Sequence, residues 1–230
     1  MIEIIFNFGS DRTTDGTLPN NSHKLPSCFI SGFNTKSIHV LSPDHKSFFG
    51  VRFHPASLKQ ILNTPLREFT NRVIDLSLID PLFTSLWSSL IEKNTFEERV
   101  AEVSGWLTKK MVAITPREKV LNDFLTSPQL SILGVSQLAA ALGYSTRHLT
   151  RKIYELTDMN AEEAFIYRKY LHAIHLIHKT TLTLTDIGYQ SQFSDQSHFI
   201  RCFKTFTGMT PGDYRKMKSH LPGHIFQHVR

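Results

Sequence analysis

The first fifty residues alternate short apolar runs with polar, turn-rich segments. IEIIFNF (residues 2–8) has strand character, SDRTTDGTLPNNS reads as turn throughout, and KSIHVLS and KSFFGVRF are further strand candidates. From Pro55 the apolar period becomes helical. PASLKQIL is the first helical tract and PLFTSLWSSLIEKN, opening at Pro81, the second. A third starts at Thr95, where Glu98 three residues on fits a capping box. Phe96, Val100, Val103, Leu107 and Met111 then recur at helical spacing to about Val112. The last two helices form either a hairpin within the chain or, through residues 81–112, a seam between two copies; both readings stay open. A break follows at Ala113–Arg117, where ITPRE carries a proline and the composition turns basic.

The second half of the chain contains an internal repeat. LGYSTRHLTRKIYELTDMN (142–160) and QFSDQSHFIRCFKTFTGMTP (192–211) match at an offset of 50 residues, pairing Leu149 with Phe199, Arg151 with Arg201, Ile153 with Phe203, Thr157 with Thr207 and Met159 with Met209. Each copy follows a short small-and-apolar helix, SQLAAAL in the first and LTDIGYQS in the second. A helix, a tight turn and an amphipathic second helix make the helix-turn-helix pattern, whose second helix enters the major groove of DNA. In the first unit Gly143 supplies a left-handed turn and Ser145 a helix N-cap. Leu149, Ile153 and Leu156 form the buried stripe, and Arg147, Thr150, Arg151 and Tyr154 face outward. In the second unit Ser194 is the expected N-cap. Phe199, Phe203 and Phe206 repeat the stripe, and Gln196, Ser197, Ile200, Arg201 and Lys204 face outward. Arginine suits guanine, Gln196 suits adenine and Ile200 suits a thymine methyl. Arg201 and Lys204 equally suit phosphates, which set register without reading sequence. His148 and His198 are placed to touch DNA or to serve the helix cap. Residues 160–178 form a linking helix with an apolar seam of Ile166, Tyr170, Ala173, Ile174 and Ile177, and with Arg168, His172, His175 and Lys179 opposite. Its length of roughly 28 Å is suited to holding the recognition helices about 34 Å apart, one turn of DNA.

Charge sharpens this division. Lys and Arg number 12 and Asp and Glu 11 in residues 1–115, a net +1; they number 14 and 9 in residues 116–230, a net +5. The basic half carries the repeats, as a phosphate-facing domain requires. Apolar content of 40% and charged content of 20% fit an ordinary globular chain. No apolar run approaches the ~18–20 residues of a membrane helix, and no signal segment opens the chain. Cys28 and Cys202 make neither a disulfide framework nor a four-ligand zinc site, so a reducing cytoplasm is the simplest location.

Residues 133–216 resemble the two-motif DNA-binding domain of the AraC/XylS family of bacterial transcription regulators. The densest match is GYQSQFSDQSHFIRCFKTFTGMTPGDYR (188–215), carried by Ser194, Asp195, Gln196, Ser197, Phe199, Arg201, Phe203, Lys204, Gly208, Thr210, Pro211, Tyr214 and Arg215. The resemblance implies sequence-specific binding of double-stranded DNA and transcriptional control, activation or repression depending on where the site lies. It implies DNA contacts from Arg147, Thr150, Arg151, Tyr154, Gln196, Ser197, His198, Ile200, Arg201 and Lys204, and RNA polymerase and a small-molecule effector as further partners, with no cofactor. FFGVRFHPASLKQIL is also similar to the sensory half of one branch of the family, a cupin-like β-barrel followed by a helical hairpin. The fold class is therefore α+β. A sensory or dimerisation domain is expected over 1–115 and a DNA-binding domain over 116–230, with units at about 133–158 and 182–208. Because the chain begins almost inside IEIIFNF, that strand is expected to lack a partner and the barrel to be incomplete. The family has Gly where Gln192 stands and Ala where Gly188 stands, so the second unit is expected to be the less stable.

Three other readings compete. His172, His175 and His178, or His220, His224 and His228, have spacings that would suit a metal-responsive regulator, but no Cys, Asp or Glu lies near to complete a site, and Pro222 and Gly223 interrupt the second group. Some alkyl-transfer repair enzymes carry this DNA-binding domain beside a zinc-held cysteine, but Cys28 has no further cysteines around it and Cys202 sits in a recognition helix. The third is a protein-binding module that no longer reads DNA, which salt-dependent binding to duplex would separate from a regulator.

Overall fold

The computed structural model describes residues 2–9, 15–18, 21–35, 48–127, 129, 134–219 and 222–223, and divides into two compact units whose main boundary falls between Thr115 and Pro116. The first unit is built on a four-stranded antiparallel sheet. Its strands are β1 (Ile2–Asn7), β4 (Cys28–Ser31), β5 (Phe48–Phe53) and β6 (Val73–Asp75), in the order β5-β1-β4-β6; β2 (Asp15–Leu18) and β3 (Asn21–Lys24) form a separate antiparallel pair. Ile2, Ile4 and Phe6 alternate onto the buried face of β1. Far from lacking a partner, β1 is central: Ile4 pairs with Ile30 on one side and Val51 on the other, and Glu3 meets Arg52 at 2.5 Å across the strands. The expectation of an unpaired apolar edge is thus corrected. So is the reading of SDRTTDGTLPNNS as turn alone, since DGTL pairs with NSHK. A backbone ladder needs no apolar alternation, so this polar pair left no periodic signal. KSIHVLS lies outside the described residues.

Three helices complete this unit: α1 (Pro55–Leu62), α2 (Leu82–Ile91) and α3 (Phe96–Lys110). Thr95 and Glu98 form the expected capping box. Phe83, Leu86 and Leu90 of α2 are buried, and the α2–α3 pair covers the sheet face that carries Ile4, Phe6, Val51 and Phe53, leaving a gap of about 10 Å³. Trp87 Nε1 donates to Asn7 O at 2.8 Å, tying α2 to the end of β1. The expected stripe of α3 is only partly used. Val103 is buried, whereas Phe96 is 65% and Val100 41% exposed, and the helix ends at Lys110, short of Val112.

The second unit is all helical: α4 (Pro116–Thr126), α5 (Val135–Leu142), α6 (Thr146–Thr157), α7 (Ala161–Lys179), α8 (Leu184–Gln190), α9 (Gln196–Thr207) and α10 (Pro211–Met217). Asn160 and Glu163 cap α7 reciprocally. This 19-residue helix is the axis of the unit, packed by α4 and α6 and by α8 and α9. Contact on several sides explains why its burial departs from a single seam. Tyr167, Tyr170, Leu171, Ala173, Ile174 and Ile177 are buried, while Ile166 is only half-buried. Arg168, placed by periodicity on the solvent face with His172 and His175, is 2% exposed. Its guanidinium donates to the carbonyls of Ser127 and Gln129 just beyond α4 and lies 5.8 Å from the ring of Phe124. Burial lowers its pKa to about 10, which still leaves it charged at neutral pH. His172 Nδ1 is 3.1 Å from Ser191 Oγ, and its side chain is half-buried.

The turns of the two helix-turn-helix units differ by one residue. After α5, Gly143 adopts φ 65° and Tyr144 N donates back to Ala139 O at 2.8 Å; after α8, Gln192 adopts φ 59° and Phe193 N donates back to Gly188 O at 3.1 Å. The turns therefore correspond at an offset of 49. The recognition helices correspond at 50, because Ser194 is an additional residue and Asp195 is the N-cap. Ser194 as N-cap is accordingly corrected; its hydroxyl instead donates to Asp195 Oδ2 at 3.1 Å. Gly188, expected only to loosen its helix, lets α8 approach α9, since a Cβ there would stand 3.1 Å from Phe199 Cδ1. A left-handed Gln192 carries the steric cost that a glycine avoids. Gln192→Gly is expected to stabilise the protein by about 0.5–1 kcal/mol and Gln192→Val to destabilise it by about 1 kcal/mol or more, read by chemical unfolding.

Candidate nucleic-acid interface

Each recognition helix is held by a side-chain cap at its start and by a left-handed residue at its end. Ser145 Oγ accepts from His148 N at 3.2 Å, and Asp195 Oδ1 accepts from His198 N at 2.7 Å. The backbone N–H of His198 holds the Asp195 carboxyl below its usual pKa. Asp158 (φ 60°) ends α6 and Gly208 (φ 76°) ends α9. Thr157 Oγ1 donates to Ile153 O at 2.7 Å and Thr207 Oγ1 to Phe203 O at 2.8 Å, so the last turns are built alike. The residues that pair at the 50-residue offset thus carry the same structural duties, down to the threonine that closes each helix.

Behind each helix lies its apolar stripe. Leu149, Ile153 and Leu156 are buried behind α6. Behind α9, Phe199 and Phe203 are buried, and the half-buried Phe206 stacks on Tyr170 at 4.7 Å. Tyr170 also meets Phe203 edge-on at 5.4 Å, and Phe203 meets Tyr214 of α10 at 5.4 Å. This aromatic cluster fixes α9 against the axial helix. Tyr144 stacks on His148 at 4.3 Å and lies 5.5 Å from the Arg117 guanidinium, which supports the first turn from α4. In the second unit Lys169 of α7 donates from Nζ to Gln192 O at 2.6 Å and stands 5.9 Å from the Phe193 ring.

The opposite faces are open to solvent. Arg147, Arg151 and Tyr154 on α6 are exposed and Thr150 is half-exposed; Gln196, Ser197, Ile200, Arg201 and Lys204 on α9 are exposed. His198 differs from these. It is half-buried, its Nδ1 is 2.9 Å from Ser194 Oγ, and it meets Phe193 edge-on at 5.5 Å, so its ring is engaged at the turn. Arg147, Thr150, Arg151 and Tyr154 line one shallow, open depression together with Thr146 and Asn160. The last two were missed by the sequence reading; Thr146 stands one turn before Thr150 on α6, and Asn160 is the cap of α7. Glu155 lies 3.9 Å from Arg151 Nε and 3.6 Å from Lys152 Nζ, drawing both cations along the helix. Helix α4 was also missed, although Leu121, Phe124 and Leu125 recur at i, i+3 and i+4. The burial of Arg168 had no signal in its spacing.

Among the described residues no three His, Cys, Asp or Glu side chains gather as metal ligands; His178 Nε2 instead lies 2.9 Å from the Tyr214 hydroxyl. His220, His224 and His228 lie outside the described residues. Burial pushes the thiol pKa of Cys28 far up and that of Cys202 up as well, the reverse of an activated thiolate. Among the described residues no helix is long and apolar enough to cross a membrane.

Comparison with known proteins agrees with this geometry. A helix-turn-helix domain family matches residues 138–217, and a domain of unknown function (DUF6597) matches residues 1–75. An uncharacterized HTH-type transcriptional regulator of Staphylococcus aureus is 35% identical over 83 residues, which are 36% of this chain and 11% of that protein. The HTH-type transcriptional regulator GlxA of Rhizobium meliloti is 30% identical over 79 residues, 34% of this chain and 24% of that protein. This chain therefore spans only a small part of the length of these relatives. ToxT of Vibrio cholerae shares the fold over 96% of this chain and 90% of its own, at a TM-score of 0.52 and 14% identity. The fold is α+β, and residues 138–217, which match the helix-turn-helix domain family, span both recognition helices.

Proposed function

We propose that the protein is a sequence-specific, double-stranded DNA-binding transcription regulator that acts by binding and not by catalysis. In this reading α6 and α9 enter successive major grooves of one duplex. One observation carries the proposal: two helices capped at equivalent positions, mounted on one axial helix, turn donor-rich faces to solvent, with Arg151 and Arg201 at the same position of each. The net +5 of residues 116–230 supports it by favouring phosphate contact. The ten side chains from Arg147 to Lys204 named above are its proposed contacts, with His198 acting through the turn as much as toward the groove.

The first unit is proposed to sense or to dimerise. Exposed Phe96 and Val100 on α3 support self-association through residues 81–112. A small-molecule effector is supported by analogy with the shared fold, since ToxT has been solved bound to (E)-4-(8-methylnaphthalen-1-yl)but-3-enoic acid. The gap between sheet and helices described here, about 10 Å³, is smaller than such a molecule. RNA polymerase is the proposed protein partner, and the bacterial cytoplasm the proposed location.

Two measurements test DNA binding. Because the units are tandem and not related by a two-fold axis, one chain is expected to protect an asymmetric site of roughly 17–20 bp in footprinting. Protection only of a short palindrome by a dimer contradicts this. Arg151→Ala and Arg201→Ala are each expected to weaken operator binding by about 1–3 kcal/mol, with relaxed preference at one base pair where the arginine reads a base. Where it holds a phosphate, the loss is similar on all duplexes and the salt slope falls by about one unit. No change in either variant removes that helix from the groove.

A further inference from the structure

The two recognition helices offer DNA the same frame with different readers. At the 50-residue offset their N-caps, C-caps and the arginine pair Arg151/Arg201 coincide. Three positions in the first half of each helix do not match in chemistry: Thr146 stands against Gln196, Arg147 against Ser197 and Thr150 against Ile200. All six are exposed except Thr150, which is half-exposed, and the three on α6 line the same open depression as Arg151. None belongs to the buried stripes that hold the helices in place.

The chemistry of these side chains differs in what it can read. Arg147 carries a planar fork of donors that fits the two acceptors of guanine; Ser197 is short and serves any base. Gln196 offers one donor and one acceptor, the complement of adenine, where Thr146 offers a single hydroxyl. Ile200 is apolar and matches the methyl of thymine, which an isoleucine contacts without losing a hydrogen bond. Gln196 and Ile200 are one helical turn apart, about 6 Å along the axis. Base steps are about 3.4 Å apart, so these two side chains address positions roughly two steps from each other. The shared arginine makes the same contribution to both halves and discriminates nothing between them.

We propose that the two helices read unlike half-sites in tandem. The half under α6 carries a G·C pair with no counterpart in the other, and the half under α9 carries A·T pairs about two steps apart. The residues Thr146, Arg147 and Thr150 against Gln196, Ser197 and Ile200 set the difference. This rests on the DNA-binding reading above and adds the determinants of its specificity.

Exchanging the readers tests it. The full chain, the triple variant Thr146→Gln/Arg147→Ser/Thr150→Ile and the reciprocal variant Gln196→Thr/Ser197→Arg/Ile200→Thr are each used to select bound sequences from a random duplex pool. The unaltered chain is expected to enrich an asymmetric site of the stated composition. The first variant is expected to enrich a direct repeat of the A·T half, and the reciprocal variant a direct repeat of the G·C half. Each variant is expected to lose about tenfold or more in affinity for the original site, while binding its own repeat about as tightly as the unaltered chain binds its site. Should one variant fail to unfold cooperatively, the other decides. Like halves in the unaltered chain's site, or variants that enrich the original site unchanged, overturn the inference and leave DNA binding standing. Failure of the unaltered chain to retain any duplex in a salt-dependent way removes the DNA-binding reading and the inference with it.

Discussion

The second unit depends on the burial of one helix face after another along α7. An amphipathic helix has one face to bury; α7 has neighbours on several sides, with α4 and α6 and with α8 and α9 against it. At its centre Tyr170 is buried between Phe203 and the stacked Phe206, and Tyr167 meets Phe206 edge-on at 5.5 Å. Aromatic pairs of this kind contribute about 0.5–1.5 kcal/mol each beyond the area they bury. Their directional geometry also fixes the roll of α9, so that when Phe203 turns inward, Arg201 and Lys204 must turn outward. The solvent-facing side of α9 is set from behind, by packing on its opposite face.

Two polar anchors extend that constraint to the ends of the unit. Arg168 binds the carbonyls of Ser127 and Gln129, beyond the end of α4, and α4 in turn places Arg117 against Tyr144 in the first turn. Lys169, the next residue, binds Gln192 O in the second turn. Adjacent residues of one helix thus anchor the segment beyond α4 and the turn of the second helix-turn-helix unit. A buried guanidinium is costly unless its donors are satisfied, and carbonyls beyond the end of α4 satisfy two of them. The second turn is held by a lysine hydrogen bond and an aromatic contact while its backbone sits at the less comfortable left-handed Gln192.

Much of this was legible in the residues. Helical period and cap chemistry located α1, α2, α3, α5, α6, α7, α8 and α9, because each has an apolar stripe of period near 3.6 and most have a threonine, serine, asparagine or aspartate at the start. The outward faces of α6 and α9 followed from the same stripes. Helix α4 escaped despite the helical spacing of Leu121, Phe124 and Leu125; much of the rest that escaped had no local signal. The four-residue β4 and three-residue β6 are too short for alternation to register, and β2 and β3 are polar. The partners of β1 come from distant sequence, so a strand beginning at residue 2 looked unpaired until Ile4 was found between Ile30 and Val51. Arg168 is buried because a carbonyl pair from the segment beyond α4 awaits it, which no spacing within α7 encodes. The cap at Asp195 was displaced by one residue because the second turn is longer than the first, and a repeat counted from the recognition helices alone hides that insertion.

The central claim is that packing on α7 makes the two helix-turn-helix units one rigid reader before DNA arrives. Pulsed electron spin resonance tests it directly, with spin labels on cysteines introduced at Lys152 of α6 and Thr205 of α9 in a full-length chain whose Cys28 and Cys202 are replaced by serine. The account predicts a single narrow distance distribution in the free protein that is unchanged when duplex is added. A broad or multiple distribution that narrows only on duplex would contradict it, and would place the alignment of the two helices with the DNA instead of with α7.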